Sequence, residues 1–293
     1  MPTTPSLDPA WLDREYNNRA LVPEHVDIFA RWARDSAVAR QAPGALIDVP
    51  YGSGAGEMLD IFPAEGGGAA PAPVLFFIHG GWWRSLDKSD HSFIAPPFVQ
   101  QGACVVVPNY ALCPAVSVPD ITLQMVRALA WVYRHIGAHG GDPNRITVVG
   151  HSAGGHLAAM MLACDWSMVG DDLPLALVKN ALSMSGLYDL EPVMQTPSVQ
   201  VSLQLTAEQV AKASPARLPA PPLREGRGEL TAVVGAEESG EFLRHNQLIQ
   251  QAWGRQVVPV CEALKGLNHF SIVDALANPK QRLHKMVRAL LGV

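Results

Sequence analysis

Residues 146–164 read ITVVGHSAGGHLAAMMLAC, and the apolar spacing changes in mid-course. Residues 146–149 form an uninterrupted run rich in β-branched side chains, the kind a central parallel strand needs because both of its faces are covered. Leu157, Ala158, Met161 and Leu162 then recur at helical spacing. Between the two lies Gly150-His151-Ser152-Ala153-Gly154, and nothing about folding asks for a hydroxyl there. The pentad fits G-x-S-x-G, a pattern that gains meaning from a strand before it and a helix after it. An ordinary Gly/Ser turn lacks those flanks. In such a setting the turn is tight enough to strain its central residue, glycines on either side let neighbouring backbone approach, and the helix N-terminus favours developing negative charge. Ser152 is therefore the candidate nucleophile.

The same alternation runs outward along the chain. Residues 74–78, 104–107, 146–149, 177–184, 230–234 and 257–260 read as strands separated by helical patterns, which predicts a mostly parallel central sheet flanked by helices. Residues 121–136 read as a helix with Asp120 as N-cap and an apolar face on Leu123, Val126, Ala130 and Tyr133. Another helix begins near Glu241. Residues 64–73, with three consecutive glycines, read as a surface loop between an edge hairpin and the first buried strand. Residues 191–226 break the rhythm. Pro-rich at both ends and enclosing a short amphipathic stretch at 206–213, they are expected to form a lid-like insertion. Residues 1–45, with Trp11, Tyr16, Trp32 and the helix-like stretch 25–40, are expected to supply a second, N-terminal piece of the cap.

With 293 residues, 48% hydrophobic and 17% charged, the chain can bury one substantial core, so 1–293 is read as a single domain. The 27 acidic residues against 22 Lys plus Arg give a net charge of −5 with no basic block, which excludes nucleic acid as a partner. The first residues lack the basic start and apolar stretch of a signal peptide, and no apolar run approaches membrane-spanning length. A soluble, cytoplasmic protein without membrane partners is expected. Cys104, Cys113, Cys164 and Cys261 show no CxxC spacing, and Cys104 and Cys164 sit in apolar segments as small core residues do. Neither disulfides, metal nor any cofactor is indicated.

A serine hydroxyl needs a base, an orienting acid and donors for the oxyanion. The expected strand at 74–78 runs straight into His79-Gly80-Gly81-Trp82-Trp83, a glycine-rich loop placed to present backbone N–H groups. Gly81, Trp82 and Ala153 are the candidate oxyanion-hole amides, and His79 reads as a brace for the loop. In this architecture the order along the chain is serine, acid, histidine, which leaves His156, His245, His269 and His284 as bases. His156 lies on the helix that starts at the elbow; His245 and His284 fall in charged, helix-like segments and read as solvated. His269 stands in a short loop after the last expected strand, where the base belongs. For the acid, Glu237, Glu238 and Glu241 follow the strand at 230–234, with Asp274 further away. Glu238, three residues past the turn glycine, is preferred; Glu237 reads as solvated, and Glu241 as the start of a helix that an acid stabilises. Trp82, Trp83 and Tyr110 are candidates for the substrate wall, although core packing is a competing account of Trp83 and Tyr110. Ser185 and Tyr188 are similar cases.

Several of these segments together resemble the kynurenine formamidase-like branch of the α/β-hydrolases. His79-Gly80-Gly81-Trp82-Trp83 is similar to its HGGxW motif, and Leu12-Asp13-Arg14-Glu15-Tyr16-Asn17-Asn18-Arg19 to the N-terminal signature of its bacterial members. Gly141-Asp142-Pro143, Ser185-Gly186-Leu187-Tyr188-Asp189-Leu190 and Asn268-His269-Phe270 also match, so the likeness runs from about Leu12 onward. Glu238-Ser239-Gly240-Glu241-Phe242 resembles the branch's acid-Ser-x-Glu-Phe stretch, whose first acid is the triad member, although aspartate is commoner there. His245, after Arg244, departs from the frequent glutamine.

The resemblance implies an α/β-hydrolase fold and a serine hydrolase with a Ser152-His269-Glu238 triad. Its best-known reaction is hydrolysis of N-formylkynurenine to formate and kynurenine, a step of tryptophan breakdown. A promiscuous short-chain carboxylesterase or arylesterase is the second reading, because fold likeness does not choose a substrate. A non-catalytic ligand-binding homologue is the third, and the presence of all three triad residues argues against it. A small-molecule amide or ester is the expected partner, met by the chain alone or as a homodimer.

Overall fold

In the computed structural model, which describes residues 7–66, 70–222 and 228–293, the apolar runs become the middle of one eight-stranded sheet. Its strands are β1 (Leu46–Pro50), β2 (Met58–Phe62), β3 (Ala72–Ile78), β4 (Cys104–Pro108), β5 (Gly141–His151), β6 (Val178–Met184), β7 (Leu230–Gly235) and β8 (Val260–Leu264). The spatial order is β1-β2-β4-β3-β5-β6-β7-β8. β1 and β2 form the expected antiparallel hairpin at one edge, and β2 joins β4 antiparallel; every pairing from β4 to β8 is parallel. Because helices cover both faces, Val74, Leu75, Phe76, Phe77 and Ile78 are all buried, as are Ile146, Val148 and Val149. The mostly parallel sheet anticipated from sequence is the sheet observed.

Local boundaries differ in instructive ways. The last strand lies further along than 257–260: Val257 and Val258 are buried ahead of the sheet, where the Leu230 N–H donates to the Val257 carbonyl, and pairing with β7 starts at Val260. As an edge strand β8 needs no continuous apolar run, so Cys261-Glu262-Ala263 carries no strand signal. The helix expected at 121–136 spans Val118–His135 and is capped by Ser117; Asp120 is the third residue of a reciprocal capping box. Val126 and Ala130 of the expected face are buried, joined by Val118, Ile121, Met125, Ala128, Leu129 and Val132, whereas Leu123 is exposed. The amphipathic stretch at 206–213 is the short helix Ala207–Ala213, capped by Thr206.

Two helices of the N-terminal segment, Pro9–Tyr16 and His25–Ala39, lie over the carboxyl end of the sheet. Arg31 pairs with Asp274, and the Trp32 indole donates to the same carboxylate at 2.7 Å, tying the longer helix to Ser271–Ala277. Tyr16 ties the shorter one to the helix Gly240–Trp253. Residues 1–6 of the expected cap, 67–69 of the glycine loop and 223–226 of the insertion lie outside the described residues. No helix among the described residues is long and apolar enough to cross a membrane.

Candidate active site

β5 ends at His151 and the helix Ala153–Ala163 begins two residues on, so Ser152 alone makes the turn. Its backbone sits at φ 56, ψ −116, a conformation that costs an L-residue on the order of 1–3 kcal/mol. The surroundings impose it. Ser152 N–H donates to the Met184 carbonyl at 2.8 Å, and its own carbonyl accepts from His156 N–H at 3.0 Å. A Cβ on Gly150 would overlap the Gly154 carbonyl, and one on Gly154 would overlap the Ile78 carbonyl, so both flanking positions demand glycine.

The residues singled out from sequence converge on this turn. His269, in the loop between β8 and the helix Ser271–Ala277, places Nε2 3.1 Å from Ser152 Oγ. Its Nδ1 lies 2.6 Å from Glu238 Oε2. A carboxylate only accepts, so Nδ1 carries the proton and the Nε2 lone pair faces the serine hydroxyl. Glu238 Oε1 accepts from Gly235 N–H at 2.7 Å and from the Ser185 hydroxyl at 2.6 Å, and the side chain is fully buried. Two donors thus hold the carboxylate against the imidazole. The ring of His269 is gripped between Phe242 and His151, with centroids 4.5 and 4.7 Å away. His151 donates through Nε2 to the His269 carbonyl at 2.8 Å. Burial, helped by the neighbouring His269, pushes the pKa of His151 well below the ordinary histidine range, so it braces the loop as a neutral ring.

The competing acids go elsewhere. Glu237 is exposed, and Asp274 is taken by Arg31 and Trp32. Glu241 does stand in the first turn of its helix, yet its carboxylate is buried and held bidentately by Arg244 at 2.8 Å. Tyr16 O–H donates to it at 2.8 Å; Tyr188 N–H donates to His245 Nδ1, which leaves His245 Nε2–H to donate to the Tyr16 oxygen. His245 is therefore buried rather than solvated. So is His284, which bonds the Leu276 carbonyl and Gln101 Oε1 and stacks on Phe98. Charged neighbours in sequence mislead here because a helix puts them on different faces. His156 bonds the Ala213 carbonyl at 2.6 Å, away from the turn.

The glycine-rich loop after β3 aims its amides by fixing its carbonyls. The Gly80 carbonyl accepts from His79 Nδ1 at 2.8 Å, and the Gly81 carbonyl accepts from Ser85 N–H at 3.0 Å and the Ser85 hydroxyl at 2.9 Å. In a trans peptide N–H and C=O point oppositely, so the following amides, Gly81 and Trp82, turn the other way, toward the cleft. Among the described residues neither donates to a protein acceptor. Ala153, first in its helix, has no intrahelical acceptor for its N–H. His79 is the brace expected of it, stacked on Tyr110 with centroids 4.3 Å apart.

Ser152 and His269 open onto a cavity of about 380 Å³, within the usual range for a small-molecule site. Trp82 lines it, held edge-on by Tyr16 and Phe242. Trp83 and Tyr110, expected on the substrate wall, are not there: Trp83 is fully buried against His156, and Tyr110 lies behind the loop, its hydroxyl donating to the His79 carbonyl. For both, the packing account was the right one. Sequence reasoning weighed Ser185 for the substrate wall or packing and missed its bond to Glu238, and it missed Asn18, Arg19 and Arg84 on the cavity wall. Among the described residues the expected lid contributes only Ser198 and Val199, whereas the N-terminal segment contributes Tyr16 to Arg19, Phe29 and Trp32.

Known proteins are similar over the same regions. A family model described as BD-FAE matches residues 59–175, and one described as the carboxylesterase family matches residues 121–247. The kynurenine formamidase of Danio rerio is 32% identical, the match covering 87% of this chain and 84% of that one. That of Salmo salar is 30% identical with the same coverage of 87% and 84%. A solved structure from Silicibacter sp. TM1040, named as a candidate thioesterase, superposes with a TM-score of 0.80 at 29% identity over 96% of this chain and 99% of that one. Sheet, elbow and relatives together define an α/β-hydrolase, an enzyme of the serine hydrolase type that is a formamidase or an esterase. Within that class the chain belongs to the kynurenine formamidase family.

Proposed function

We propose that the chain is an aryl formamidase in which Ser152 is the nucleophile, His269 the general base and acid, and Glu238 the group that orients the imidazole. The observation that carries this reading is the continuous hydrogen-bond chain from Ser152 Oγ through His269 to Glu238, opening onto a cavity walled by Trp82. Ser152 Oγ attacks the formyl carbon while its proton passes to His269 Nε2. The oxyanion is held by the Gly81, Trp82 and Ala153 amides, donors of a kind worth about 2.7–4 kcal/mol each to a transition state. Collapse breaks the C–N bond, and His269 returns the proton to the departing aryl amine. Water, deprotonated by His269, then attacks the formyl ester on Ser152 and releases formate.

Relatives of nearly full length that are kynurenine formamidases support a formamide substrate of the N-formylkynurenine type. The carboxylesterase family match over residues 121–247 favours a second reading, hydrolysis of short-chain esters by the same residues. Two measurements test the pair of readings. A fluorophosphonate should label Ser152 in the folded protein, with no adduct on Ser152→Ala; absence of labelling would favour a binding protein. kcat/KM on N-formylkynurenine should then far exceed that on an unactivated alkyl amide of equal size. Equal values, with phenyl acetate still cleaved, would leave the esterase.

A further inference from the structure

Two guanidinium groups share the wall of the cavity that Ser152 opens. Arg19 comes from the short helix Asn18–Leu21 of the N-terminal segment, and Arg84 from the turn just after Trp83. Arg19 lies over the Phe29 ring, 5.6 Å from its centroid. Arg84 spends one nitrogen, Nη1, on the Ser198 carbonyl at 2.6 Å and the Ser202 hydroxyl at 3.2 Å. Among the described residues neither guanidinium forms an ion pair, although the chain carries 27 acidic residues. The carboxylates of the adjacent helix turn to other donors: Asp13 accepts from Ser198 N–H at 3.0 Å and Glu15 from Glu241 N–H at 3.2 Å. Burial, and then repulsion from Arg19, depress the pKa of Arg84, so the two like charges feel each other across this wall. Beside them stands Asn18, 5% exposed, whose amide Nδ2 has no hydrogen-bond partner. A buried donor left unpaired is costly, so its presence on a cavity wall calls for an acceptor.

We propose that Arg19 and Arg84, with the Asn18 amide, form a subsite for a carboxylate carried on the leaving group of the substrate. Forked N–H donors match a carboxylate in geometry as well as in charge. The inference rests on the formamidase reading: when the acyl part is a formyl group fixed between Ser152 Oγ and the oxyanion amides, any carboxylate has to sit on the amine side. The N-terminal segment then does more than cover the cleft, since two of its side chains, Asn18 and Arg19, help choose what enters.

The test compares N-formylkynurenine with its α-carboxamide, which differs only in charge at that group. In wild type the acid is cleaved with kcat/KM at least about tenfold higher, mostly through KM, the size expected when one charge-assisted contact is lost. In Arg19→Gln and Arg84→Gln that ratio falls toward one, and Arg84→Lys retains part of it. Because both substrates are measured on one sample, a fraction of unfolded enzyme cancels from the ratio. Equal cleavage of acid and amide by wild type overturns the subsite and leaves the formamidase standing. If neither formamide is cleaved while phenyl acetate is, the formamidase reading falls. The subsite is then read by inhibition of phenyl acetate hydrolysis: tighter inhibition by kynurenine than by its carboxamide supports it, and equal inhibition overturns it.

Discussion

The Ser185 hydroxyl donates to Glu238 Oε1 across 2.6 Å, linking the end of β6 to the turn after β7. Ser185 itself sits at φ 53, and its N–H donates to the Val233 carbonyl at 2.8 Å. Backbone of the neighbouring strand therefore aims the hydroxyl. With Gly235 N–H on the same oxygen, the opposite oxygen of Glu238 is left for His269.

Ser185→Ala removes one of two donors to Oε1 and should lower kcat about tenfold, at the lower end of what a hydrogen bond to a charged group contributes. KM should change little, because Ser185 does not line the cavity. Steady-state kinetics on phenyl acetate would read this directly. An unchanged kcat would mean that Gly235 N–H alone holds the carboxylate.

Glu238 and Glu241 stand three residues apart, and their neutral variants should fail in opposite ways. Glu238→Gln loses the ionised partner of His269 Nδ1 and should cut turnover by two or more orders of magnitude, as wrong-tautomer variants of such triads do, with stability little altered. Glu241→Gln leaves Arg244 buried beside a neutral group and should destabilise the fold by about 3–5 kcal/mol while sparing activity per folded molecule. Turnover together with a urea titration of each variant separates the two. Full activity in Glu238→Gln and its loss in folded Glu241→Gln would reverse the assignment of the acid.

The sequence makes the sheet, the elbow, the glycine-rich loop and the His269 loop legible because each is encoded locally: an apolar run, a glycine pair, a turn at a strand end. Glu238 is legible as well, since one turn after one strand limits the choice. What escapes is long-range. Tyr16 and Glu241 meet across 225 positions, and neither has a pattern that announces the other. His245 looks solvated beside Arg244, yet faces inward to Tyr16. Tyr110 and Trp83 show that adjacency to a catalytic loop in sequence does not decide which side of that loop a ring will occupy. Nothing in the sequence marks Arg19 and Arg84 as wall residues, because they share a cavity only once the N-terminal segment folds over the cleft.

Tyr16→Phe tests how firmly that segment is held. Loss of the hydroxyl leaves His245 Nε2–H without its acceptor in a buried site and Glu241 Oε2 with Arg244 alone, at a cost of about 1–3 kcal/mol. The T-shaped contacts of the ring with Trp82 and Phe242 remain. A lower urea midpoint is expected, and limited proteolysis should cleave first within residues 7–45. Unchanged stability would show that ring packing alone anchors the segment.

Buried histidines set the acid limit of the fold. His91 and His156 are fully buried, and burial pushes their pKa values down to about 3 and about 4. Each uses one ring nitrogen on a backbone carbonyl, Asp87 for His91 and Ala213 for His156, and the second nitrogen faces no acceptor. A proton added there would be a buried charge without a partner. In the unfolded chain both rings titrate near the ordinary value of about 6.5, so between there and the folded values the unfolded state binds more protons. Their contribution is therefore intact above pH of about 6.5 and is lost as the pH falls, by about 2 kcal/mol for each ring at pH 5. Most carboxylates titrate lower and do not account for a loss in that window. Urea midpoints at pH 7.5, 6 and 5 should fall steadily on this basis. A midpoint that stays flat from pH 7.5 to 5 would mean that these rings find an acceptor when protonated.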